Sequence, residues 1–271
     1  MSYNLTQEWP QAGVAVLTFT DRARTNQLCW GAIDEMAQRV ADCRGSGARV
    51  VILASGLTGH WLQHAWLRDL IDGLEGREQT GTGAGWFDLQ NELAHEDIVS
   101  IAAISGDASG GGAEMAWACD LRIAERQARF AQPEVNMGLT TGVGGCSRLA
   151  RLAGRATAAE MVLTGGSISA QRLYQLGAIG SLVEEGESLV AALDMASSLA
   201  LKSPAAIAGL KRILALGEEA PLAESLRYEQ EVFQSVVIKA GALKGMQDVQ
   251  SAYDTGESIA GVHGYPDRDT G

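Results

Sequence analysis

The stretch Ile104-Ser-Gly-Asp-Ala-Ser-Gly-Gly-Gly-Ala-Glu-Met115 holds the densest set of residues suited to chemistry. Three consecutive glycines, Gly110, Gly111 and Gly112, lie between a strand-like apolar segment and a helix expected to begin near Ala113. Glycines at such a turn permit dihedrals barred to other residues and leave backbone N–H groups uncovered. The positive end of the helix dipole falls on the same spot, so the turn is suited to hold an anion or an oxygen on which charge develops. Glu114 stands in the first helical turn, and Glu134 follows within Gln132-Pro133-Glu134. Two nucleotide readings fail on spacing. A dinucleotide turn would carry GxGxxG, which SGGGAE lacks, and a P-loop would carry GK[ST], which is absent.

The elements that must position these residues follow from periodicity. β-branched, alternating runs predict strands over Val14–Thr20 and Arg49–Ala54, with further strands over Val99–Ile104 and Asp120–Ala124. Ile33, Met36, Ala37, Val40 and Ala41 share one face of a helix between the first two. Strand and helix alternating in this way predict an α/β fold. Gly73 to Gly85 breaks the order as a Gly- and Thr-rich stretch without periodicity, expected to be a long mobile loop. Trp86, Phe87, Leu89 and Leu93 follow it, as an acyl-pocket lining or an ordinary amphipathic face. Beyond Glu185 the apolar spacing is helical throughout, and Ser203-Pro204 supplies a cap followed by proline at the first helical position. Leu222, Leu226, Phe233 and Val237 form a stripe read first as intrachain core and second as an oligomer contact. The tail from Gly256 is expected to fray. These features divide the chain into a core over 1–195 and a helical region over 196–271.

Composition narrows the partners. The chain has 271 residues and 46% apolar content, with 21 Lys+Arg against 33 Asp+Glu for a net charge of −12. Such an acidic chain without a basic block is a poor fit to nucleic acid or an anionic membrane. No basic stretch followed by an apolar run opens the sequence, and no segment is long and apolar enough to span a bilayer, so a cytoplasmic location is expected. Cys29, Cys43, Cys119 and Cys146 are scattered, which suggests neither a disulfide framework nor a metal site.

Three segments together are specific. SGDASGGGAEMAWACDLRIA, then ARFAQPEVNMGLTTGVGGCSRLARLAG, then AAEMVLTGGSISAQRLYQLGAIGSLV resemble, in order and spacing, the enoyl-CoA hydratase/isomerase (crotonase) family, over roughly residues 10 to 250. The resemblance implies a spiral of ββα units followed by a C-terminal helical region that serves trimerisation, hence a homotrimer or a hexamer. It implies an enzyme acting on an acyl-CoA or acyl-carrier thioester, with no separate cofactor because coenzyme A belongs to the substrate. Gly111 corresponds to one of two backbone N–H donors for the thioester oxygen. The other donor falls at Ala65 within Trp61-Leu-Gln-His-Ala-Trp66. Glu114 and Glu134 match the acidic pair of the hydratases. Arg22, Arg24 and Asn26 fall on a CoA-contacting turn, while Gly110, His64 and Trp66 border the thioester.

That set makes chemical sense. Hydrating an α,β-unsaturated thioester places negative charge on the carbonyl oxygen while water attacks the β-carbon, and two N–H groups aimed at the oxygen stabilise it. One carboxylate takes a proton from water and a second acid supplies one to the α-carbon. The sequence departs from the family pattern at His64, where glycine is usual, and at Trp66, where aspartate is usual. Basic residues that often follow a Gly-Met pair, here Gly245-Met246, are also missing. These departures leave room for an isomerase, decarboxylase or hydrolase, for an acyl group on a carrier protein, or for a non-catalytic member. Retention of both glutamates favours hydration.

Overall fold

The computed structural model describes residues 3–257. The expected fraying beyond Gly256 lies almost wholly outside them. The chain opens with β1 (Asn4–Gln11), β2 (Val14–Thr20), α1 (Trp30–Gly45), β3 (Val50–Ser55) and β4 (Gly59–His60). Next come α2 (Leu67–Leu74), α3 (Gly85–Ala94), β5 (Val99–Ile104), β6 (Gly106–Ser109), α4 (Gly111–Ala118), β7 (Leu121–Glu125) and β8 (Arg129–Ala131). After a 3-10 turn at Glu134–Met137 follow α5 (Ser147–Ala153), α6 (Arg155–Thr164), β9 (Ser167–Ser169), α7 (Ala170–Gln175), β10 (Ser181–Val183) and α8 (Ser188–Ala200).

Strands alternate between two sheets. One has the order β1-β2-β3-β5-β7-β10, the other β4-β6-β8-β9. Each successive pair, β3 and β4, β5 and β6, β7 and β8, thus gives one strand to each sheet, which is the spiral the sequence implied. The inner strands of the larger sheet are parallel and buried on both faces, as in Val50–Ala54 and Val99–Ile104, so their runs are apolar but for Ser100, whose hydroxyl is hydrogen-bonded to Leu93 O and Asp120. The smaller sheet matters most for chemistry. Its parallel register sets Gly59 beside Gly106 and Ala108 beside Phe130, so the segments leaving β4, β6 and β8 run side by side.

The stretch 75–84 is not a free loop. Buried Asp69 accepts from the N–H of Trp30 and from the N–H and hydroxyl of Thr80, and Asp34 accepts from Thr82 and the Gly85 N–H. Helix α2 also begins earlier than the glycine-rich stretch suggested. Leu67, Leu70, Ile71 and Leu74 do carry a helical spacing.

The chain forms two compact units that divide between Leu201 and Lys202. The sequence boundary at 195/196 falls inside α8, whose buried Ala192 and Ala196 belong to the first unit, with α8 lying on β3, β5 and β7. The second unit is helical: α9 (Pro204–Gly217), α10 (Leu222–Val237) and α11 (Ala240–Asp254), with the Ser203 hydroxyl capping α9. The α10 stripe is not intrachain core. Leu222, Leu226 and Phe233 are 74%, 56% and 55% exposed, and the buried residue of that helix is Val232, packed at Gly209. Among the described residues no helix is long and apolar enough to cross a membrane, and no group of His, Cys, Asp and Glu is arranged to hold a metal ion. Cys29, Cys43 and Cys119 are buried outside any disulfide, whereas Cys146 is exposed.

Candidate active site

The site forms where three chain segments leave the smaller sheet at the carboxyl ends of parallel strands, the usual place for ligands in α/β folds. The segment after β4, Trp61–Ala65, is stitched to β6 and the start of α4. Trp61 N–H donates to Asp107 O at 2.8 Å, Ser109 N–H to Leu62 O at 3.3 Å and Gly112 N–H to Gln63 O at 3.1 Å. The Gln63 side chain reaches across the same seam to Asp107 and Ser109.

This apposition explains Gly110 and Gly112, and Trp86 explains Gly111. Gly110 has φ +50, and a Cβ there would lie 2.7 Å from the His64 Cβ and 3.2 Å from Glu134 Oε1. At Gly111 it would meet the Trp86 indole at 2.5 Å, so Trp86 of α3 closes over that residue. At Gly112 it would collide with the backbone of Leu62 and lie 2.6 Å from Gln63 O.

Two N–H groups stay unspent in this seam. Gly110 N–H donates to Ala131 O and Gly112 N–H to Gln63 O, but Gly111 N–H, at the first turn of α4, has no acceptor among the described residues. Likewise Leu28 N–H donates to His64 O at 3.1 Å and Trp66 N–H to Leu28 O at 2.8 Å, while Ala65 N–H has no acceptor among the described residues. The peptide is trans, so a His64 carbonyl held by Leu28 turns the Ala65 N–H to the opposite side. Both expected donors therefore have the property an oxyanion hole needs: they are fixed and unpaired.

The glutamates sit beside them. Glu114 is 2% exposed, and its Oε1 accepts from Val143 N–H at 3.0 Å and Gly145 N–H at 2.7 Å. Burial pushes its carboxyl above the ordinary range, and these N–H groups and nearby Arg148 pull the other way. Arg148 donates to Val143 O and to Gln90 Oε1, and Gln90 in turn donates to Trp86 O, tying the Glu114 loop to the wall of α3. Glu134, half-buried on the 3-10 turn, is raised by burial and then by the charge of Glu114. Gln132, fully buried, contacts Glu134 directly: with its carboxamide nitrogen toward Glu134, it donates to Oε1 at 3.0 Å and Oε2 at 3.3 Å. Gln132 did not stand out in the sequence as a site residue, whereas Trp86, read there as an acyl-pocket lining or an ordinary amphipathic face, stands over Gly111.

The remaining candidates divide. His64 is half-buried, with its Nδ1 2.8 Å from Ala65 O. Since a carbonyl only accepts, Nδ1 is the donor there and a neutral ring leaves Nε2 as its acceptor. Trp66 is half-buried and carries the Arg24 guanidinium over its ring at 4.4 Å, and Arg24 also pairs with Asp21 at 2.8 Å. Arg22 is exposed. Asn26 is a correction. Its side chain is fully buried and spent inside the fold: Oδ1 accepts from Asp21 N–H at 2.7 Å, and Nδ2 donates to Ser55 Oγ and Trp61 O, both at 2.8 Å. With Asn26 O accepting from Gln63 N–H, the residue pins the oxyanion segment and leaves no group for coenzyme A.

The sequence profile of the enoyl-CoA hydratase/isomerase family matches residues 10–251. A short-chain-enoyl-CoA hydratase of Clostridium acetobutylicum is 31% identical over 223 residues, covering 81% of this chain and 84% of that protein. A carnitinyl-CoA dehydratase of Salmonella enteritidis is 30% identical over 251 residues, covering 91% and 94%. Among solved structures, an enoyl-CoA hydratase from Bacillus anthracis superposes with a TM-score of 0.82 at 25% identity, covering 92% of this chain and 96% of that one. With this match running through both sheets and the seam between them, the chain belongs to the enoyl-CoA hydratase/isomerase family of enzymes and has the crotonase fold.

Proposed function

We propose that this enzyme adds water across the double bond of a 2-enoyl-CoA thioester, or removes it in reverse. One observation carries the reading: two fixed, unpaired N–H groups, at Ala65 and Gly111, lie beside two carboxyls whose surroundings differ. The thioester oxygen sits between the two N–H groups, which stabilise the enolate-like charge as water attacks the β-carbon. Glu114, held by backbone N–H groups and close to Arg148, is the carboxylate that takes the proton from water. Glu134, raised by burial and by the charge of Glu114, is the acid that delivers a proton to the α-carbon. Arg22 meets the phosphates of coenzyme A as a solvated charge, and Trp66 with its stacked Arg24 flanks the pantetheine approach. No separate cofactor enters.

Trp66 favours one second reading. Where relatives have an acidic residue, an indole stacked on Arg24 alters the entrance, which suits an acyl group delivered on a carrier protein. We read the exposed apolar row of α10 as a contact face between copies in a trimer or hexamer, and the compartment as the cytoplasm.

The test is turnover of a panel of short- to medium-chain 2-enoyl-CoA thioesters, followed by loss of enoyl absorbance, with Glu134→Gln alongside. Hydration that collapses in the variant is the expected result. No turnover on any CoA ester by the wild type would overturn the reading for coenzyme A and move it to carrier-bound substrates.

A further inference from the structure

We propose that Trp117 is a positioning residue for Glu134, acting through Gln132: its indole N–H fixes the Gln132 carboxamide so that an N–H donor, rather than a carbonyl, faces the carboxyl. The buried carboxamide lies between a group that can only donate and one that accepts. Trp117 Nε1 is 3.2 Å from the amide oxygen, and the Glu134 oxygens are 3.0 and 3.3 Å from the amide nitrogen. Turning the amide over would set oxygen against carboxylate oxygen and N–H against indole N–H. A hydroxyl in place of the indole could rotate to suit either state; an indole N–H cannot.

The parts of this relay are held. Trp117 is 3% exposed and its ring lies 5.1 Å from that of Phe130. A Cβ at Gly145 would lie 2.9 Å from the Gln132 Cδ, so the Gly145 backbone runs close against the amide. Trp117 also stands one turn after Glu114 on α4, so a single helix carries one carboxyl and sets the partner of the other.

The fixed amide bears on the acid and its conjugate base unequally. The carboxylate receives an N–H donor. The protonated carboxyl finds no acceptor in the amide unless the amide turns over, which strands the indole N–H. Trp117 therefore makes Glu134 a stronger acid than its surroundings would otherwise leave it. Those surroundings include Glu114 of α4 and, across Gly110, His64 of the segment after β4; Arg148 of α5 acts on Glu114, and Glu160 of α6, the helix packed on the 3-10 turn, is exposed and paired with Arg172. Gln132 differs from all of these in being able to invert its polarity in place.

The inference rests on Glu134 as the proton-handling group, and its test does not need turnover. Carboxyl resonances of protein labelled with 13C-glutamate are followed against pH, with Glu134 assigned by its loss in Glu134→Gln. In Trp117→Phe, which keeps an aromatic ring on Phe130, the Glu134 midpoint rises by about one pH unit, a tenfold change in acidity. With an active wild type, kcat falls while KM changes little. In a Gln132→Leu background the same tryptophan substitution moves the midpoint no further. Should Trp117→Phe fold poorly, benzothienylalanine at position 117 keeps the ring shape without the N–H and gives the same rise. An unchanged midpoint in both replacements, with only a change in melting temperature, would overturn the inference. A shifted midpoint in an enzyme inactive on every enoyl thioester would sink the hydratase reading and leave the relay standing.

Discussion

Gly112→Ala tests whether the seam between Trp61–Ala65 and α4 makes the oxyanion hole, because it touches neither donor and neither glutamate. A methyl group at this position would lie 2.6 Å from Gln63 O and closer still to the Leu62 carbonyl, whereas real Cβ contacts essentially never fall below 3.0 Å. Both obstacles are backbone, so the segment after β4 must withdraw by several tenths of an ångström or more. Ala65 N–H rides on that segment while Gly111 N–H stays with the helix. The two donors then no longer converge on one oxygen. Losing an oxyanion donor costs about 10²–10³ in kcat, and a displacement near 1 Å costs about 10². We therefore expect kcat to fall about 10²-fold, about 2.7 kcal/mol in the barrier, with KM changed far less. The assay is hydration of the best 2-enoyl thioester under saturating conditions, with the fold checked by thermal melting. Gly45→Ala serves as the control, since a Cβ at the end of α1 meets nothing within 4 Å. A folded Gly112→Ala enzyme with kcat close to wild type would refute the reasoning, because the hole would then not depend on this apposition.

Glu134→Gln should lower kcat by about 10²–10⁴ and at the same time raise the melting temperature at neutral pH. Both Glu114 and Glu134 have raised folded-state values, so the native chain keeps protons that the unfolded chain has already released. Their contribution to stability therefore falls as pH climbs from the ordinary carboxylate range, about 4.3, through the raised values. A melting temperature for Glu134→Gln at or below wild type at pH 7 would contradict a destabilising buried charge. Asn26→Ala removes three side-chain hydrogen bonds inside the fold. It should cost about 2–4 kcal/mol in denaturant unfolding, and a fully stable variant that lost only CoA affinity would restore Asn26 as a ligand contact. Arg22→Ala should raise KM for CoA thioesters at low salt and lose that effect at high salt, as expected of an exposed charge. A salt-independent change would point to a different role.

The inner strands of the larger sheet were legible because they are buried on both faces and read as mainly apolar runs rich in valine and isoleucine, Val99–Ile104 without error and Val50–Ser55 within a residue. The glycine triplet and Glu114 were legible too, since a strand running into glycines and then a helix leaves few alternatives. The function of Asn26 was not. Its position suggested a ligand contact, and only tertiary packing shows Ser55 and Trp61 consuming its amide. The loop after α2 was misread for a similar reason, because the aspartates that fasten it lie in other elements. The α10 stripe marks a further limit: helical periodicity tells which residues share a face, and nothing about whether the same chain covers that face. Gln132 and Trp117 were invisible as a pair because 15 positions separate them and only the parallel register of β6 and β8 brings them together.

Because the polarising groups we propose at residues 65 and 111 belong to the main chain, trimming a side chain removes neither of them; among the encoded residues only proline lacks the N–H. An alanine scan through 61–64 and 109–112 would report on the side chains of Trp61 to His64 and on crowding at the glycines, and would leave both N–H groups in place. At 110–112 every encoded side chain other than proline keeps the N–H and adds bulk against neighbours already in contact. Replacing a single amide by an ester through chemical ligation would delete one donor while leaving every side chain and every packing contact where it is.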